Sequence, residues 1–185
     1  MILVNGDSFT FGEELNDPFN NAWPVFLDLP DLAMNISKPG YSNDAIIRST
    51  VEFVETTGPI KYAFIAWTTP HRIEVNGKHL TPTSHLKYGS ICDHVFLDWD
   101  EEWAITKFHT QVALLHTYLT SKNIPSVFIR TFDVPDSDVG NWISGSMVEW
   151  MGECPKGPNG HPLELGHLKI SKKINEHIRN LGWLS

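Results

Sequence analysis

A chain of 185 residues, 41% hydrophobic and 19% charged, is long enough to bury a real core as one domain and too apolar to be disordered. Its net charge of −8 speaks against nucleic acid as the main partner, because neutralising phosphates needs clustered Lys and Arg. No window approaches the roughly 18 apolar residues of a membrane span. The N-terminus has no basic segment leading into an apolar one, and Cys92 and Cys154 lie in no C-x-x-C pair. The expectation is therefore a single reduced, cytoplasmic domain over residues 1–185, with no signal peptide.

Short apolar runs alternate with helical patterns. The first run, ILVN (2–5), breaks at Gly6-Asp7-Ser8; LAMNIS (32–37) follows after a loop-rich stretch. Ser42-Asn43-Asp44 then starts a helix with Ile46, Ile47, Val51 and Val54 on its buried face, and Gly58 stands where a terminating glycine belongs. YAFIAW (62–67) is the third run. Residues 70–100 carry no helical pattern, but RIEVNGKHL (72–80) alternates around Asn76-Gly77, a strong signal for a two-residue hairpin turn. A second helix is spaced by Trp103, Phe108, Val112, Leu115 and Leu119 and ends before Pro125. SVFIRTF (126–132) is the last run, and a final helix from Pro162 buries Leu165, Ile170, Ile174, Ile178 and Leu181 before Gly182. The alternation predicts an α/β fold on a parallel sheet, with a β-hairpin inserted after the third strand.

Gly6-Asp7-Ser8 admits two readings. Asp7 or Ser8 can cap a helix, or Ser8 can be a nucleophile released at a strand end. The segment lacks the second glycine of a G-x-S-x-G elbow, and Glu13 stands where a P-loop wants lysine. Nine histidines suggest a metal, yet no H-E-x-x-H or paired carboxylate cluster is present, so neither metal nor cofactor is expected. Trp67, Trp99, Trp142 and Trp150 flank loops, where indole faces suit sugar rings or acyl chains as well as packing.

Four blocks in order, GDSFTFG (6–12), NISKPGYSN (35–43), IAWTTPHR (65–72) and GHPLELGHLKISKKI (160–174), resemble the SGNH (GDSL-like) hydrolases over nearly the whole chain. The resemblance implies a three-layer α/β/α sandwich on a flavodoxin-like sheet. It implies Ser8 as nucleophile and His161 as general base, within about 4 Å of one another. His167, in a competing E-x-x-H, would be a helix-face residue near the pocket mouth. Gly40 and the Ser8 N–H would donate to the oxyanion, with Asn43, Thr68, Trp67 and Arg72 completing oxyanion and substrate binding; Arg72 would suit a carboxylate or phosphate.

Two positions depart from the family pattern. Pro158 stands where the acidic triad member belongs, with Glu153, Asp138 and Glu164 as distant alternatives, so His161 Nδ1 is expected on a backbone carbonyl or a water. The family's asparagine after the third strand is replaced in Ala66-Trp67-Thr68-Thr69. Small stand-alone members of the superfamily, phage-encoded ones among them, carry T-S-P-x-R-like segments here. The implied function is serine-dependent hydrolysis of a glycan or small-molecule ester, such as O-deacetylation of a glycan. Acyl transfer by the same residues, or a non-catalytic glycan- or partner-binding module, are the alternatives.

Overall fold

A computed structural model describes residues 1–82, 87 and 89–183. Five strands form one all-parallel sheet: β1 (Ile2–Asn5), β2 (Ala33–Asn35), β3 (Tyr62–Trp67), β6 (Ser126–Arg130) and β7 (Trp142–Ser146), ordered β2-β1-β3-β6-β7. This is the flavodoxin-like winding, in which the chain reverses direction across the sheet between β1 and β3. Its interior strands are apolar on both faces because each face is covered. One face packs Ile2, Val4, Phe64 and Ile129 under Ile170, Ile174 and Ile178 of α7 (Glu164–Asn180). The other packs Leu3, Ile65 and Phe128 under Ile46 of α3 (Asn43–Thr56) and Phe108, Val112, Leu115 and Leu119 of α5 (Glu101–Ser121). No described helix is long and apolar enough to cross a membrane.

The local chemistry accounts for most element boundaries. Ser42 caps α3 by accepting from Ala45 N–H, and Asp100 caps α5 by accepting from Trp103 N–H. Residues 72–80 form the expected hairpin: β4 (Ile73–Val75) pairs antiparallel with β5 (Lys78–Leu80) in a sheet of its own. The turn residues Asn76 and Gly77 have φ of 50° and 72°, the two positive values that a type I′ turn requires.

Some boundaries differ from expectation. Gly58 does not terminate α3 in the left-handed region; Thr57 closes the helix in an extended conformation. A short helix, α4 (Ser90–Phe96), occupies the stretch that showed no helical pattern, part of which (83–86 and 88) lies outside the described residues. Strand β7 (WISGS), interrupted by serine and glycine instead of reading as an apolar run, closes the sheet edge. In α7 the ends Leu165 and Leu181 are exposed, while His167 takes a fully buried position instead. Its Nδ1 accepts from Trp23 N–H at 3.2 Å. His167 is thus a core residue that ties α7 to the 3₁₀ helix Trp23–Phe26, not a group at a pocket mouth.

Candidate active site

In the opening Gly-Asp-Ser the capping role falls to Asp7, which leaves Ser8 free of it. A Cβ at Gly6 would stand 2.8 Å from Ala66 Cβ and strike the Thr10 side chain, so only glycine lets the chain turn this tightly off β1. Asp7 is the cap: its Oδ1 accepts from Phe9 N–H at 3.1 Å at the start of α1 (Ser8–Phe11). Ser8 is the first residue of that one-turn helix, 3% exposed, and neither its hydroxyl nor its N–H has a hydrogen-bond partner among the described residues. It stands at the carboxyl end of β1, beside the switch point where folds of this winding bind ligands. Asn5, the last residue of β1, braces this corner: its amide donates to Ile46 O, Ser49 Oγ and Thr50 Oγ1 and accepts from Gly6 N–H.

His161 is held by an acid, and the acid comes from the segment that follows Ser8. Glu14 Oε2 accepts from His161 Nδ1–H at 2.9 Å and from His161 N–H at 3.1 Å, while its Oε1 accepts from Asn159 N–H at 2.8 Å and Asn159 Nδ2 at 3.1 Å. Nδ1 is therefore on a carboxylate rather than on the backbone carbonyl or water expected from Pro158. Pro158 itself lies in a tight turn closed by Gly157 N–H to His161 O. Gly157 leaves the space that Glu14 fills, since a Cβ there would lie 2.6 Å from Glu14 Oε2.

Glu14 is aimed by its backbone, which sits in the left-handed region at φ 70°. That conformation costs a non-glycine residue about 1–3 kcal/mol and persists where the surroundings enforce it. Burial by itself pushes the Glu14 carboxyl up; the Asn159 N–H and the His161 imidazole and N–H outweigh it and hold the carboxyl below its ordinary value. The other ring nitrogen, Nε2, lies 3.2 Å from Glu13 Oε2, so the imidazole sits between two successive glutamates. No hydrogen bond joins it to Ser8. Phe9 packs against the ring, centroids 5.5 Å apart.

The residues after β3 are arranged differently from the expectation. The Thr68 hydroxyl donates to Asp7 Oδ2 at 2.8 Å, so its hydrogen is not available to a substrate oxyanion. Asn43 exchanges two 3.0 Å hydrogen bonds with the Thr68 backbone, Nδ2 to Thr68 O and Thr68 N–H to Oδ1, and so acts as a brace for the loop. Trp67 is fully buried among Phe108, Phe128 and Trp142, with no surface to offer a substrate. Trp142 and Trp150 are half-buried and donate to Val139 O and Ser144 O. Gly40 has φ 76° and open space where a Cβ would be, the requirement of a turn whose backbone faces outward.

Arg72 donates from Nη1 to Asp7 Oδ2 at 3.1 Å and lies over the Phe132 ring, which meets Phe9 edge-on at 5.1 Å. Asp7 is fully buried: burial pushes its carboxyl up, opposed by Arg72, the Thr68 hydroxyl and the Phe9 N–H. A polar cleft of about 420 Å³ opens beside these residues, lined by His71, Glu101, Asp133 and Asp136 among others.

No protein-family model and no curated protein matches the chain. Among solved structures it is similar to the psychrotrophic esterase EstA from Pseudoalteromonas sp., crystallised after inhibition by monoethylphosphonate (13% identity, 97% of both chains, TM-score 0.62). It is similar also to TesA (11% identity, 97% of this chain and 98% of that one, TM-score 0.64). A third is a lipolytic protein of the G-D-S-L family from Desulfitobacterium hafniense (12% identity, 95% and 98% covered, TM-score 0.62). The chain has the fold of the SGNH (GDSL-like) hydrolases, as its four sequence blocks imply.

Glu14 and Glu13 were not suggested by the sequence. The one local hint is their place directly after Gly12, whose φ of 89° ends α1; the partner that gives Glu14 a role is 147 residues away.

Proposed function

We propose that the protein hydrolyses carboxylic esters through Ser8, with His161 as general base and Glu14 as the acid that orients it. The observation that carries this reading is the 2.9 Å hydrogen bond from His161 Nδ1 to Glu14, within a fold whose similar structures include esterases. The non-catalytic alternative draws on the missing acid and the missing asparagine, and the contact of Glu14 with His161 speaks against the first of these grounds. With the proton held on Nδ1, the Nε2 lone pair takes the hydroxyl proton as Ser8 Oγ attacks the ester carbonyl. The carbonyl π pair moves onto oxygen. Collapse expels the alcohol, which leaves with the proton from Nε2, and water repeats the sequence on the acyl-enzyme with His161 as base.

The substrate class that fits is a neutral polar ester, an O-acetylated glycan or a small acyl ester. The cleft beside the site is lined by Asp133, by Glu101 paired with His71 and by Asp136 paired with Arg130; such a polar lining accepts hydrogen bonds from hydroxyls. The test is turnover of p-nitrophenyl acetate by wild type and by Ser8→Ala. Abolition in the variant is expected, and equal rates would make the hydrolysis something other than Ser8 chemistry.

Glu13 has a distinct part. Its carboxylate faces Nε2, the nitrogen that must receive the Ser8 proton, and its side chain is 39% exposed, free to swing away. Removing a contact of this exposed kind, worth roughly 0.2–1 kcal/mol, should raise turnover of a small neutral ester by up to about fivefold. Steady-state kinetics of Glu13→Ala checks this; a fall in turnover would show that Glu13 assists the base instead of covering it.

A further inference from the structure

The third oxyanion donor is absent from the place where the SGNH pattern puts it. The Thr68 hydroxyl is spent on Asp7, and the Asn43 amide is engaged at both ends by the Thr68 backbone. Of the Ser8 and Gly40 backbone N–H groups and the Asn43 and Thr68 side chains, only the two N–H groups are uncommitted among the described residues. A serine hydrolase limited to two backbone donors lacks one contributor to its largest catalytic term.

Arg72 is the group with donors to spare. A guanidinium carries five N–H donors in a rigid fork, and one nitrogen alone is engaged, Nη1 on Asp7 Oδ2. The remaining donors have no partner among the described residues, and the side chain is 19% exposed, mostly withdrawn from bulk water. Its position is set from two sides. Asp7, covalently next to Ser8, anchors one edge, and the Phe132 ring supports the face at 5.5 Å. Phe132 packs on Phe9, and Phe9 packs on His161, so guanidinium, nucleophile segment and base share one aromatic platform.

Two roles are open to such a cation: recognising a substrate anion, or stabilising negative charge that appears only during reaction. The surroundings choose. The chain carries net −8, Glu13 and Glu14 flank the imidazole, and in the adjoining cleft Asp133 has no cation partner among the described residues, while Glu101 and Asp136 are paired with His71 and Arg130. An anionic substrate would approach against that field, whereas an oxyanion forming at Ser8 is made in place. We infer that the free fork of Arg72, anchored by Asp7, is the third oxyanion donor, standing in for the amide side chain that the sequence lacks after β3. The charge it meets is the carbonyl π pair displaced when Ser8 Oγ bonds to carbon; that pair returns when the alcohol leaves, and Arg72 neither gains nor loses a proton.

This inference rests on the Ser8 reading above, and one set of assays separates the two. With p-nitrophenyl acetate, Arg72→Gln should lower kcat about 100- to 1000-fold, the loss typical of an oxyanion donor, with KM little changed. Arg72→Lys, which keeps the charge beside buried Asp7 but loses the fork, should fall between Gln and wild type. Added methylguanidinium, at concentrations that leave wild type unaffected, should restore part of the Arg72→Gln rate, which a merely structural loss would not allow.

Unchanged kcat in Arg72→Gln, or a loss in both variants without rescue by methylguanidinium, overturns the assignment. So does a loss confined to KM for anionic esters such as a p-nitrophenyl hemisuccinate. An inactive Ser8→Ala alongside an unaffected Arg72→Gln sinks the Arg72 role alone. A fully active Ser8→Ala brings down both.

Discussion

Replacing Glu14 by Gln is expected to lower turnover of an activated ester about 10 000-fold while leaving KM near its wild-type value. The size follows from what a triad acid does: the isosteric amide in its place presents the wrong hydrogen-bond partner and traps the wrong imidazole tautomer. Glu14 Oε2 now accepts from Nδ1–H, which leaves Nε2 as the proton acceptor. A glutamine that turns its NH₂ toward Nδ1 reverses this, placing the proton on Nε2, where it cannot take another from Ser8. The substitution also weakens the hold on Asn159, whose N–H and side-chain amide both donate to Oε1. A comparison of kcat with the thermal midpoint separates the two effects: the account requires a collapse in kcat out of proportion to any loss of stability. A Glu14→Gln enzyme that keeps wild-type turnover would remove Glu14 from the mechanism.

Acidification should destabilise the fold well above the range in which ordinary carboxylates titrate, because of His167. Burial pushes its imidazole down from 6.5 to about 4. In the unfolded chain it protonates near its ordinary value, so between pH 6.5 and about 4 the unfolded state binds a proton that the native state refuses. Stability therefore falls as pH drops through this window, by roughly 3 kcal/mol in all. The depressed Glu14 carboxyl adds a loss of the same sign only at lower pH, as it titrates below its ordinary 4.5. His167→Leu should be less stable than wild type at pH 7, since Trp23 N–H loses its acceptor, at a cost of about 1–3 kcal/mol. Between pH 7 and 4.5 it should lose less stability than wild type. Urea midpoints at the two pH values check this, and parallel losses would assign the acid sensitivity elsewhere.

Much of the fold was legible because its signals are local. Four apolar runs became four of the five strands, three of them interior strands that must be apolar on both faces, and Asn76-Gly77 specified a hairpin because few other dipeptides tolerate two positive φ values. Gly6-Asp7-Ser8 was legible for the same reason: the tight turn, the cap and the freed serine are all decided within one turn of chain. What escaped depends on partners distant in sequence. Trp67 sits at a strand end that a sequence cannot assign to core or pocket, and in the fold it faces Phe108 and Phe128. Thr68 carries a hydroxyl that could have faced a substrate, but buried Asp7 needs donors and takes it. Glu14 escaped because a left-handed glutamate beside a gap left by Gly157 has no signature in either segment alone. Glu14 supplies a carboxylate to His161 Nδ1 from far away in sequence, so Pro158 looks like a loss when read by itself.

The most direct test of the account is covalent trapping of the nucleophile. Incubation of the protein with a fluorophosphonate, followed by mass spectrometry of the intact chain and its peptides, should yield a single adduct on Ser8, formed far more slowly in the Glu14→Gln protein. An unlabelled wild-type chain, or an adduct placed on any other residue, would contradict the assignment of Ser8 as an activated nucleophile.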